Sequence, residues 1–209
     1  YLFAFGGGRD SFDGGSASYT NPGSGGVDGV VDGYLEIENF EAAFLGVRHT
    51  APEWTGDFIA SGIVRVTVWL NDVGADDNLE LHLIVGRAFG NAWQHNQPLR
   101  PVPGEWRKFS VDISLDENDW TPVVGSGTLE DALRTADRIA FRHDVAPYTP
   151  FPEAVVGAVG MDNVRLIGSA CDCPQDVNDD GMVNFTDLNF VLGGFNQTGD
   201  GLPGDVNFS

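Results

Sequence analysis

Residues 176–187 read Asp-Val-Asn-Asp-Asp-Gly-Met-Val-Asn-Phe-Thr-Asp, with oxygen-bearing side chains recurring at alternate positions. A hard divalent cation takes several oxygens at about 2.3–2.6 Å, and a loop supplies them only where alternate residues turn inward. Asp176, Asn178 and Asp180 stand at loop positions 1, 3 and 5. Gly181 permits the sharp reversal at position 6, and Met182 at position 7 offers its backbone carbonyl. Asn184 at position 9 binds directly or holds a water, and Asp187 closes the loop at position 12. Val183, between them, is apolar as a core anchor requires. The expected ion is calcium, because magnesium demands a tighter octahedral cage than such a loop provides. Asp187 is shorter than the Glu that usually ends a loop of this kind, which limits its reach as a two-oxygen ligand.

The elements that must hold this loop are unequal. After it, Leu188, Val191 and Leu192 are spaced three and four apart and end at Gly193 and Gly194, which predicts one short helix from Thr186 to about Leu192. Before it, residues 172–175 are too few for a helix and include Pro174. A loop followed, but not preceded, by a helix resembles the dockerin type I repeat. Dockerins carry two such repeats, and Asp205, Asn207 and Ser209 restart the pattern at positions 1, 3 and 5 of a second loop. Either the parent chain continues past Ser209 or the second repeat is degenerate. The resemblance implies a calcium-organised segment and a cohesin-like partner met by Phe185, Thr186 and residues 188–191. So small a segment buries little and is expected to dock on the rest of the chain or on a neighbour.

A second chemistry is suggested by the tryptophans. A pyranose stacks an apolar face on an exposed ring and takes hydrogen bonds at its edge, so Trp69, Trp93 and Trp106, with Arg65 and His82, form a conceivable glycan cleft. Trp93 is expected in a Gly/Asn/Gln-rich loop. The alternative is that these rings are core, as most aromatics in a β-sandwich are. The strands around them are read from a period of two. Val64, Val66, Val68 and Leu70 alternate with Ile63, Arg65, Thr67 and Trp69. Leu79, Leu81, Leu83 and Val85 alternate with Glu80, His82 and Ile84, and Arg107, Phe109, Val111 and Ile113 with Trp106, Lys108, Ser110 and Asp112. Further apolar pieces occur at 34–37, 42–47, 138–143 and 164–167. At least six short strands without long helical stripes predict an all-β fold of two packed antiparallel sheets, a sandwich or jelly roll. Residues 129–136 are the one helical exception, with Thr128 and Asp131 as a capping pair.

Residues 11–168 are similar to laminin B and carbohydrate-binding jelly rolls, through Phe12-Asp13-Gly14, Gly33-Tyr34-Leu35, Trp54-Thr55-Gly56-Asp57-Phe58, Gly104-Glu105-Trp106 and Asp162-Asn163-Val164. The resemblance implies a structural calcium where first and last strands meet, held by Asp13 and Asp162, with Glu36 and Glu38 as weaker candidates. In the alternative reading Asp162 and Asn163 only cap a turn before Val164.

Charge narrows the partners. The chain holds 31 acidic against 11 basic residues, a formal net charge of −20, with Lys108 the sole lysine. This disfavours nucleic acid and anionic membranes. No apolar run reaches the length of a membrane-spanning helix. Cys171 and Cys173 are the only cysteines, and free thiols, a strained bridge and interchain pairing all stay open. Because residue 1 is Tyr, the chain is expected to be a processed form, consistent with secretion. The expected layout is an edge strand and Gly-rich segment at 1–33, partly belonging to the β domain, a jelly roll at 34–168, a linker at 169–175 and the calcium-binding segment at 176–209, with an incomplete second repeat. The expected function is noncatalytic: an extracellular or cell-surface module, carbohydrate-binding or adhesive. The alternative is a filament or surface-layer subunit self-associating through tail docking and exchange of the strand formed by residues 1–5. A glycan-active enzyme is a lesser alternative, since Glu36 with Glu38, and Asp116, Glu117 and Asp119, fit no catalytic motif, and neither His-Glu-x-x-His nor Gly-x-Ser-x-Gly occurs.

Overall fold

In the computed structural model, residues 10–11, 18–74, 78–169, 185–186 and 188–189 are described. The chain divides into two compact units, Tyr1–Ile167 and Gly168–Ser209.

The first unit is a jelly-roll sandwich. Its strands are β1 (Asp10–Ser11), β2 (Ser18–Thr20), β3 (Leu35–Phe44), β4 (Gly46–His49), β5 (Ile63–Asp72) and β6 (Leu81–Arg87), then β7 (Asn91–His95), β8 (Arg107–Asp112), β9 (Trp120–Gly125), β10 (Arg138–His143) and β11 (Ala154–Gly168). One helix, α1 (Leu129–Arg134), precedes β10. The six-stranded sheet has the order β1-β4-β10-β6-β7-β9, and the five-stranded sheet β2-β3-β11-β5-β8. The chain passes repeatedly from one sheet to the other, as β4 to β5 and β10 to β11 show. Each sheet thereby acquires neighbours far apart in sequence.

The core lies between the sheets and follows the period of two. Leu35, Ile37, Val66, Val68, Leu70, Val111, Val159 and Met161 face it from one side, and Val47, Leu81, Leu83, Val85, Trp93, Ile139 and Phe141 from the other. Leu129, Ala132 and Leu133 of α1 close the end. Thr128 caps this helix, its Oγ1 accepting from the Asp131 N–H at 3.1 Å. Predicted alternation holds only in part along β5: Arg65 is exposed and Val66, Val68 and Leu70 are buried, but Val64, expected on their face, is exposed and Thr67, expected on the other, is buried.

Along β6 both faces are buried, contrary to the simple alternation: His82 and Ile84 are as covered as Leu81 and Leu83. The reason is a second apolar layer outside the six-stranded sheet, made by Ile84, Ala92, Val123 and Ala140 with Val124 and Tyr148. β7 and β9 were not among the strands read from sequence. The expectation of a loop at Trp93 is corrected by its place in β7, whose residues are all buried. A polar Asn-Ala-Trp-Gln-His segment becomes a strand because β6 and β9 pair with it on either side.

In the second unit, Phe185, Thr186, Leu188 and Asn189 are helical and exposed, within or beside the helix expected from Thr186. The remaining loop positions, from Asp176 to Asn184 and Asp187, lie outside the described residues, as do Asp13, Cys171, Cys173, Asp205, Asn207, Ser209 and the segment 1–5.

Candidate functional site

The outer face of the six-stranded sheet holds a groove of about 260 Å³. Its floor comes from β6, β7 and β9 through Ile84, Ala92, Val123 and Val124. Its rim comes from Phe44, Phe89 and the segment after β10 through Phe151 and Pro152. Phe89 and Phe151 are 86% and 76% exposed. Exposed rings scattered singly are ordinary, but two beside one apolar groove form a patch of the kind that ligands or partners cover.

Three arginines complete the wall: Arg48, Arg138 and Arg142. β4 and β10 place them by register. Arg48 stands opposite Ala140, and Arg138 and Arg142 flank Ala140 two residues away on the same face.

Arg142 is buried and engaged on every side. Its Nε donates to Gln94 Oε1 at 2.7 Å, and its Nη2 to Asp144 Oδ2 at 2.8 Å and to the Thr149 carbonyl at 2.7 Å. Its Nη1 donates to the Pro150 carbonyl at 3.5 Å. Burial pulls the guanidinium's pKa down and the neighbouring Asp144 carboxylate pushes it back up. Arg142 thus ties the segment carrying Phe151 to the sheet. Thr149 stiffens the same turn, its Oγ1 donating to the Phe151 carbonyl at 2.6 Å.

Beside Arg142, His82 places Nδ1 at 2.9 Å from the His95 carbonyl, and its ring meets Tyr148 at 4.8 Å between centroids. Contact with a carbonyl oxygen assigns the proton to Nδ1. Nε2 of His82 and Nε2 of Gln94 are buried without a partner among the described residues.

The cleft expected from Trp69, Trp93, Trp106, Arg65 and His82 does not assemble as one surface. Trp93 is 6% exposed in the intersheet core, its Nε1 donating to Asn91 Oδ1 at 2.9 Å. His82 is fully covered on the outer face of the six-stranded sheet. Only Arg65 and Trp69, on β5, and Trp106, just before β8, belong to the five-stranded sheet's outer side. There Arg65 pairs with Asp112, and Trp69 stands opposite Lys108. Trp106 donates from Nε1 to the Gly25 carbonyl at 2.9 Å and meets the Tyr34 ring edge-on at 5.2 Å. Phe89, Phe151, Arg48, Arg138 and Arg142 were missed. One signal was available: in Arg-Ile-Ala-Phe-Arg the two arginines stand four apart, so a strand there turns both to one face.

Asp162 sits on β11 against the loop 26–32. Its Oδ2 accepts from the Val27 N–H at 3.0 Å and its Oδ1 from the Asn163 N–H at 2.7 Å. Asp32 Oδ2 accepts from the Asp28 N–H at 2.9 Å. A Cβ on Gly26 would clash with Asp32 Oδ2 and stand 2.9 Å from Asp162 Oδ2, so the two carboxylates converge on this glycine. Burial raises the Asp162 pKa, the two N–H donors oppose it, and Asp32 raises it further. Asn163 adopts φ 48°, and its buried Oδ1 has no partner among the described residues. Glu36 instead accepts from the Tyr34 hydroxyl at 3.0 Å, and Glu38 lies opposite Ala158 on β3. Among the described residues no three His, Cys, Asp or Glu side chains gather as a metal site. Oxygens beyond Asp32, Asp162 and Asn163 would have to be backbone carbonyls or residues outside that set.

No family model matches the chain, and no curated protein matches it. Among solved structures, it is similar to the family 11 carbohydrate-binding module of the cellulosomal cellulase Lic26A-Cel5E of Clostridium thermocellum, at 17% identity and TM-score 0.50, over 78% of this chain and 87% of that one. A family 11 module from Clostridium thermocellum in complex with a β-1,3-1,4-mixed-linked tetrasaccharide aligns at 15% identity and TM-score 0.52, over 80% of this chain and 95% of that one. An exo-β-agarase aligns at 14% identity and TM-score 0.50, over 77% of this chain but 23% of that one. At these identities the likeness establishes the fold: an all-β jelly roll of the kind carbohydrate-binding modules have.

Proposed function

We propose that the chain is a noncatalytic carbohydrate-binding module of an extracellular or cell-surface protein, and that its ligand lies in the groove on the outer face of the six-stranded sheet. The exposure of Phe89 and Phe151 beside one groove carries this reading. Aromatic faces present apolar area at low entropic cost, as the C–H face of a sugar ring requires. The fold likeness to modules named for carbohydrate binding supports it. Arginines line the wall where glycosidic cleavage would need two carboxylates across the bond.

Affinity electrophoresis against a panel of soluble glycans tests the proposal. Phe89→Ala and Phe151→Ala should each weaken retention about tenfold with little change in melting temperature. Retention insensitive to both substitutions would move the ligand elsewhere, with Trp69 and Trp106 as the next rings to replace.

We further propose that residues 176–187 bind calcium through the ligands given above and attach the module to a cohesin-like partner. The spacing of the oxygen donors supports this. Exposure of Phe185 and Leu188, at 71% and 47%, leaves apolar area available to such a partner. A second calcium at Asp162 is supported by its convergence with Asp32 and by the unpartnered Asn163 Oδ1. That ion would supply the counter-charge these two carboxylates lack.

A further inference from the structure

We propose that the groove selects an acidic glycan, placing a sugar carboxylate against Arg138 and Arg48; this rests on the groove being the glycan site. The charged residues lining it are Arg48, Arg138 and Arg142, in a chain whose formal net charge is −20.

Their roles differ. Arg142 spends its donors inside the protein and braces the wall. Arg138 gives Nε to Asp137 Oδ1 at 2.8 Å, while its two Nη groups have no bond among the described residues. Its side chain is only 16% exposed. Arg48 is half-buried across Ala140 from it, so two guanidiniums border one small residue.

The surrounding wall is Phe44, Ile84, Ala92, Val123 and Phe89, and among the described residues no carboxylate lines it. A neutral sugar filling this groove would strip water from the Nη edge of Arg138 and return only hydroxyl contacts. Desolvating charge among apolar groups is costly unless an opposite charge replaces the water. A carboxylate supplies that charge, and its planar pair of oxygens matches the fork of an arginine. Asp137 meets Arg138 from the exposed side, which fixes the side chain while leaving the Nη edge for ligand.

Calorimetry on the full chain, with tri- and tetrasaccharides of galacturonate, glucuronate and mannuronate, each beside its methyl ester, tests this. At least one acid form should bind about tenfold more tightly than its ester, the scale of one charge-assisted bond. That difference should vanish in Arg138→Gln and shrink in Arg48→Gln, and survive Arg65→Gln on the other sheet. Melting curves confirm that each variant is folded. Equal binding of acid and ester, or preference for a neutral β-glucan tetrasaccharide, overturns the acidic assignment. The groove reading then stands if Phe89→Ala still weakens the binding. Binding confined to a sulfated galactan tetrasaccharide overturns the carboxylate assignment. Failure of every sugar to bind removes both the assignment and the reading beneath it.

Discussion

Arg142 is the most constrained charged residue of the described fold. Its side chain and that of Asp144 are 2% and 3% exposed, so both charges have left water and depend on each other. Such a pair adds little net stability against apolar replacements, yet breaking it strands a buried charge. Arg142→Met should therefore cost about 3–5 kcal/mol in urea unfolding, with Asp144 left unpaired. Arg142→Met with Asp144→Leu should recover most of that loss. A single variant as stable as the parent would contradict the pairing. The double variant also frees residues 149–151, so it should weaken glycan retention even where stability returns.

At the scale of elements, two buried histidines, His95 and His143, act as backbone acceptors. The Gln97 N–H donates to His95 Nδ1 at 3.1 Å, and the Glu80 N–H to His143 Nδ1 at 3.1 Å. Both fasten segments bordering β6 and β7, and both bonds require an unprotonated nitrogen. Burial lowers the pKa of His82, His95 and His143 below the ordinary 6.5. As pH falls through 6.5 the unfolded chain takes up protons that the folded chain still refuses, so stability falls with it. The urea midpoint should be level above pH 7 and decline below pH 6.5. His143→Asn keeps an acceptor without titrating, and should make that decline shallower, since His82 and His95 still titrate.

The end of β9 makes a different demand. Gly125 has φ 77°, and a Cβ there would collide with the Gly90 carbonyl oxygen. Gly104 has φ 68° with nothing within 4 Å. Gly104→Ala should cost about 1 kcal/mol, the ordinary left-handed penalty. Gly125→Ala should cost several times more, because the β7–β9 pairing must also open. Equal melting temperatures for the two would show that β9 yields readily.

For the whole molecule, the two units make separate predictions. Asp176→Ala or Asp180→Ala should remove one calcium from the calorimetric stoichiometry and destabilise the C-terminal unit, with the jelly roll's cooperative unfolding unchanged. Loss of the main transition in either variant would contradict two independently folded units.

Much of this architecture was legible in the sequence because a two-sheet sandwich writes its core into alternate residues. β5, β6, β8 and β10 could be read that way, and α1 from its cap and spacing. The calcium-binding reading is likewise local, a set of donors at fixed intervals along twelve residues. The groove is not local. Arg48 and Arg138 line one groove only because β4 pairs with β10, and Phe89 and Phe151 line it together only because the segment after β10 returns to the face of β6 and β7. Trp93 and His82 have the residue types of a sugar site, but packing between and outside the sheets buries them. Periodicity determined which face each strand would turn inward; tertiary pairing decided which outward faces became neighbours and which were covered.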